Sequence, residues 1–236
     1  MAVATAEKRR EGMILVKVWE PTVRVTHWLL FLSITTLCIT GYLIGNPTFS
    51  SPQEAAKTFT FGTIRFLHFA AAYVLLATFL IRLYWGFVGN RYARWSTLLP
   101  ITGKRWRAIW KEVLDLALPK GKFRVYTGHS PLANVFYVLV YLAVLFSLVS
   151  GFTMYGAAHY TPFWRTISAW GLALFGNNLN TVHFWHHWLL WFFILFFLMH
   201  LYLVIYTIVV SRTTEIDTMI SGYKFVVEET LSEEAE

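Results

Sequence analysis

"TVHFWHHWLLWFFILFFLMH", residues 181–200, sets four histidines in a run that otherwise has the composition of a membrane-spanning helix. An imidazole in hydrocarbon finds no water to bond, so another part of the protein, or something it binds, has to satisfy it. His186 and His200 stand 14 residues apart. At about 1.5 Å and 100° per residue, that is roughly 21 Å along the helix and within about 40° of a whole number of turns. The two share one face at two depths, while His183 and His187 fall on the far side of the helix from His200.

The rest of the chain fits a membrane setting. Of its 236 residues, 56% are hydrophobic, 18% aromatic and only 14% charged, which marks an integral membrane protein rather than a soluble domain. Eleven Trp and twelve Tyr suit two membrane interfaces to anchor. The formal charge of +7 resides in loops between apolar runs, where Lys and Arg orient a membrane protein, and nucleic acid is not an expected partner. The single cysteine, Cys38, lies inside an apolar run, which leaves no disulfide, no iron-sulfur cluster of the chain's own and no C-x-x-C-H haem attachment. Any redox centre must be held by histidine.

Four spans are expected, at about residues 27–44, 66–88, 132–154 and 184–210, each near or above the ~20 residues that cross the hydrocarbon. Residues 1–12 and the strand-like "MILVKVWEP" before the first are too charged for a signal peptide. Residues 45–65, 89–130 and 155–183 connect the spans, and without a repeat or low-complexity tract the chain reads as one domain over 1–236. Lys8, Arg9, Arg10, Lys17 and Arg24 precede span one, and nine Lys and Arg crowd residues 89–130, against only Lys57, Arg65 and Arg165 in the other two connections. Positive charge stays inside, so both termini and the 89–130 loop are expected to be cytoplasmic and the connections 45–65 and 155–183 outward.

That orientation sorts the histidines by depth. His68 begins span two from outside, level with His183, His186 and His187, while His27 begins span one near the cytoplasm, level with His200. The phase of span four selects His186 for the outer pair. His68 with His186, and His27 with His200, would hold two stacked bis-histidine b-type haems in an all-α, four-helix transmembrane bundle. The spacing of 14 recurs at Gly41, beyond His27, and at Arg82, beyond His68, with Gly151 on span three at the outer depth. The glycines would leave clearance beside the outer haem and Arg82 would meet propionates near the inner one, though glycine also serves helix packing and arginine can snorkel. His159 and His183 read as interfacial anchors, and zinc at His183 and His187 lacks a third ligand nearby in sequence. Two axial imidazoles leave iron no open position, so the expected work is electron transfer.

The motifs "VRVTHWLLF", "GTIRFLHFAAAYV", "IRLYWGFVGNRY", "TGHSPLANVFY", "SGFTMYG", "VHFWHHWLLW", "MHLYL" and "DTMISGYK" follow one another from about Trp19 to Lys224. In order and spacing the chain resembles the diheme cytochrome b subunit of membrane-bound uptake nickel-iron hydrogenases, within the wider group of bacterial cytochrome b561-like proteins and formate dehydrogenase gamma subunits. The resemblance carries the family's haem ligands onto His27, His68, His186 and His200. It implies a hydrogenase small iron-sulfur subunit and, through it, the nickel-iron large subunit as partners, and membrane quinone as acceptor, in a bacterial inner membrane. Such a subunit would not oxidise hydrogen alone. Candidates for a quinone pocket are His129, Tyr202 and Tyr206, whose imidazole and phenols can bond a quinone carbonyl; capping of span three or lipid contact is the other reading of His129. Residues 160–178 have helical spacing and would either contact the small subunit or lie in the lipid interface. A cytochrome b of another quinone-linked complex, such as formate dehydrogenase, and a haem-free scaffold or transporter stay open at this stage.

Overall fold

The computed structural model describes residues 13–47, 59–99, 103–118, 126–211 and 215–227. The charges counted at Lys8, Arg9, Arg10, Lys57, Lys120, Lys122 and Arg124 lie outside the described residues. Four helices are long and apolar enough to cross a membrane: α1 (Pro21–Gly45), α2 (Thr60–Val88), α5 (Pro131–Ala157) and α7 (Leu179–Ser211). Short helices α3 (Trp95–Leu98) and α4 (Gly103–Ala117) occupy the basic loop, α6 (Pro162–Leu174) the connection between α5 and α7, and α8 (Glu215–Ser221) follows α7. In no span is more than 28% of the apolar stretch buried inside the protein, so most of that surface is left for lipid.

The helices overrun the apolar runs, most of all at the start of α1 and α2. Hydropathy marks only the hydrocarbon, whereas backbone hydrogen bonding continues through the headgroup layer until a cap or a breaker stops it. Pro21, Pro131 and Pro162 each open a helix, where the fixed φ suits and the missing N–H costs nothing. The connection between α5 and α7 is largely helical, as its spacing suggested. It ends in Gly176 and Asn177, at φ of 64° and 56°, which turn the chain from α6 into α7.

The strand-like N-terminal stretch forms β1 (Met13–Lys17), paired antiparallel with β2 (Tyr223–Val227) in the register Met13 to Val227 through Lys17 to Tyr223. Its partner follows "DTMISG" and lies some 200 residues downstream, beyond the reach of any local pattern.

The described residues fall into two compact units, and every long helix contributes to both. One comprises residues 27–81 and 139–199. Here the four helices meet in a closed ring: α1 touches α2 through Thr40 and His68, α2 touches α5 through Tyr73 and Phe152, α5 touches α7 through Ser150 and His186, and α7 returns to α1 through Phe197 stacked on Phe31.

The other unit comprises residues up to 26, 82–138 and 200 onward. Val18, Trp19, Val23, Tyr92 and Ala93 form its buried cluster, with Val16, Trp85 and Met219 packed against it. Its polar lock is Glu20, whose Oε2 accepts from the Trp85 indole N–H at 2.8 Å and the Asn90 amide at 2.9 Å. Asn90 in turn donates to Val18 O at 2.8 Å and accepts from the amides of Tyr92 and Ala93, which ends α2 in a side-chain-stabilised turn. The amides of Val18 and Trp19 share the Gly222 carbonyl, and the buried Lys224 ammonium reaches Glu215 at 2.5 Å and Tyr126 O at 2.8 Å. Glu112 of α4 accepts from the Leu132 amide in the first turn of α5 at 2.9 Å, and Ser130 accepts from the Ala133 amide. These two side chains cap α5.

Glu20→Ala is expected to strand two N–H donors. At about 1.5–3 kcal/mol for a hydrogen bond to a charged group, the detergent-solubilised protein should melt several degrees lower, measured by differential scanning fluorimetry.

Candidate functional site

Inside the helix ring, the imidazoles of His68 on α2 and His186 on α7 face each other with ring centroids 6.5 Å apart and planes at 69°. Each ring has the same pair of neighbours on an adjacent helix. Thr40 Oγ1 of α1 lies 2.8 Å from His68 Nδ1, and Ser150 Oγ of α5 lies 2.8 Å from His186 Nδ1. The next residue in each helix is glycine, and a Cβ there would stand 3.2 Å from the Cε1 atom of the same ring, for Gly41 against His68 and for Gly151 against His186. The two glycines therefore clear the imidazoles themselves, which refines the clearance read from their spacing.

Two imidazoles on opposite sides of one metal, each nitrogen about 2 Å from it, have ring centroids roughly 6–6.5 Å apart. The pair could hold a metal ion between them on that measure. Among the described residues no group of three or more His, Cys, Asp and Glu side chains is placed to hold a metal, so zinc at His183 and His187 gains no third ligand.

The remaining candidates occupy two kinds of surroundings. His27 lies on α1 edge-on to Trp28, with centroids 5.2 Å apart, and His200 lies on α7, which carries it and His186 without a break. Of the two pairs expected from depth and phase, His68 and His186 are joined by a ring contact.

Arg82 is 3% exposed, so it does not snorkel. One guanidinium nitrogen donates to Ala93 O at 3.4 Å, the group lies 5.4 Å from the centre of the Tyr137 ring, and Nη2 has no hydrogen-bond partner among the described residues. A buried cation with an unused donor suits an anionic oxygen. The His129 ring lies 4.8 Å from Trp19 and 5.6 Å from the same Tyr137, and the capping once open to it falls to Ser130 and Glu112. Tyr202 and Tyr206 stack on each other at 6.0 Å.

His159 stacks on Tyr155 at 3.9 Å and donates from Nδ1 to the Tyr155 carbonyl at 2.6 Å, which fits an anchor. His183 is exposed. His187 packs on α1, where a Cβ at Gly45 would come within 2.9 Å of its Cε1.

Thr40 and Ser150 are the residues that sequence reasoning missed. Their signal was a hydroxyl residue directly before each candidate glycine, "TG" at 40–41 and "SG" at 150–151, inside apolar spans.

Comparison with known proteins gives a family. The model of the family described as prokaryotic cytochrome b561 matches residues 18–222. A curated relative from Azotobacter vinelandii, "Probable Ni/Fe-hydrogenase B-type cytochrome subunit", is 37% identical over 212 residues, 89% of this chain and 88% of that protein. A protein of the same name from Bradyrhizobium diazoefficiens is 36% identical over 225 residues, 94% of this chain and 91% of its own. The "Probable Ni/Fe-hydrogenase 1 B-type cytochrome subunit" of Escherichia coli K12 is 31% identical over 223 residues, 92% of this chain and 94% of its own. With its four membrane helices and a match from Val18 to Gly222, the chain belongs to the prokaryotic cytochrome b561 family and is a b-type cytochrome.

Proposed function

We propose that the chain is the transmembrane electron-transfer subunit of a hydrogen:quinone oxidoreductase, passing electrons from a hydrogenase iron-sulfur subunit through two bis-histidine haems b to membrane quinone. The observation that carries this reading is the facing pair His68 and His186, each seated on a hydroxyl and a glycine of a neighbouring helix. Haem b fits there: the donors are two imidazoles, their separation suits one metal between them, and a Cβ at Gly41 or Gly151 would press on the rings. The names of the relatives favour hydrogenase over formate dehydrogenase as the source of electrons.

In this reading His68 and His186 hold the outer haem, His27 and His200 the inner one, and Arg82 offers its unused N–H to a propionate. A haem held by two of these histidines would supply a one-electron carrier closed to oxygen and substrate. The protein's part is to fix ligand orientation, keep water from the wire and supply protons where quinone is reduced. His129, beside Trp19 and Tyr137, and the stacked Tyr202 and Tyr206 offer the imidazole and phenol groups for that last step. The Lys and Arg distribution supports an inner-membrane orientation with both termini and the basic loop cytoplasmic and the His68/His186 end outward. The hydrogenase small subunit, and through it the nickel-iron large subunit, then docks on the outward side, where α6 exposes Phe163, Trp170 and Leu174.

Purified with its partner subunits, the chain should show a b-type spectrum that hydrogen reduces and added quinone reoxidises; a preparation with no such spectrum would sink the reading. His68→Ala or His186→Ala should halve the haem-to-protein ratio in a pyridine haemochrome assay, from two to one, while His183→Ala leaves it at two.

Gly41→Ala and Gly151→Ala test the seats. Alanine in place of a mid-helix glycine ordinarily stabilises by about 0.5–1 kcal/mol. Here the added Cβ, 3.2 Å from Cε1, should instead lower occupancy of one haem, and valine at either position should abolish it, as read from the same assay.

A further inference from the structure

We infer that Thr40 and Ser150 are positioning residues for the outer haem, each fixing the tautomer of its ligand so that Nδ1 carries the proton and Nε2 is left to bind iron. The inference rests on the proposed ligation by His68 and His186.

A hydroxyl has one proton to give. Thr40 Oγ1 lies 2.6 Å from Thr36 O and 3.4 Å from Leu37 O, and Ser150 Oγ lies 2.7 Å from Phe146 O and 3.3 Å from Ser147 O. A carbonyl cannot donate, so these short contacts take the hydroxyl protons, as is usual for Ser and Thr in apolar helices. The 2.8 Å contacts to His68 Nδ1 and His186 Nδ1 must then run the other way, with the imidazole N–H donating to a hydroxyl lone pair. In a neutral imidazole with its proton on Nδ1, Nε2 holds the free lone pair. The opposite arrangement would put the ring proton on Nε2, block ligation there, and leave two oxygens 2.6–2.7 Å apart with no proton between them.

The same arrangement occurs twice, on unrelated stretches of chain. α1 seats the ligand of α2 with Thr40 and Gly41, and α5 seats the ligand of α7 with Ser150 and Gly151. In each pair of residues the hydroxyl fixes the ring's tautomer and rotation while the glycine lets the ring edge approach. An imidazole whose outer N–H is hydrogen-bonded is a stronger donor to its metal. That favours the oxidised iron and lowers the midpoint potential of this centre.

The test is potentiometric titration of the haems in the complete complex, on Thr40→Val, Ser150→Ala, the double variant, and the conservative Thr40→Ser and Ser150→Thr. The expected result is an upward shift of one of the two midpoint potentials in Thr40→Val and Ser150→Ala, larger in the double variant, and return to the parent value in Thr40→Ser and Ser150→Thr. Loss of one haem from the valine or alanine variant, with full loading and parent potential in the conservative one, also supports the inference. It is overturned if both midpoints stay put in fully loaded Thr40→Val and Ser150→Ala, or if Thr40→Ser shifts as far as Thr40→Val. His68→Ala separates the two levels: retention of both haems would remove the ligand assignment itself. Loss of one haem there, with unmoved potentials in Thr40→Val and Ser150→Ala, would remove only the role of the hydroxyls.

Discussion

Hydrocarbon offers an imidazole nothing to bond, so both nitrogens of a histidine at membrane depth must be satisfied from within. At His68 and His186 the protein meets this on one side only. Nδ1 of each ring is met by a hydroxyl of the neighbouring helix, and the two ring centroids lie 6.5 Å apart. The helix ring closes around this pair: α1 and α5 bring the hydroxyls, α2 and α7 the imidazoles. Replacing either hydroxyl by an apolar group takes away the partner of Nδ1 on the facing ring.

The other unit follows the opposite rule. It is held by charged and amide groups that end helices and join segments far apart in sequence: Glu20 to Trp85 and Asn90, Lys224 to Glu215 and Tyr126, Glu112 to the start of α5. Nearer water, such groups are cheap to satisfy and fix direction better than apolar contacts do. The stretch "GFVGNRY" has its physical meaning here, since Asn90 stops α2 while bonding to Val18 and the amides after it. Within this frame Arg82 keeps a buried, partly unused guanidinium, which is costly to maintain and is the kind of group a protein keeps for an anionic ligand.

Much of this was legible in the sequence. The length of the apolar runs gave four spans, and the helix period alone singled out His186 and His200 from a cluster of neighbours. The 14-residue spacing that picked Gly41, and the depth match that picked Gly151, led to glycines that abut the rings of His68 and His186. The start of α1 was displaced because Pro21 opens the helix ahead of the apolar run, where hydropathy carries no signal. β2 was missed because five residues after a short helix carry too little pattern to reveal a partner at the other end of the chain.

By itself, the sequence determined what is periodic and local: how many helices are long and apolar enough to cross a membrane, and which histidines of one helix share a face. Only the tertiary structure decided which atoms meet. Rotation of α1 and α5 about their own axes puts Thr40 and Ser150, rather than any other hydroxyl in the spans, against Nδ1 of the two rings. Such rotation is set by packing among helices whose apolar faces look alike in one dimension. The period of a helix tells which of its residues share a face, and the neighbouring helix decides what that face touches.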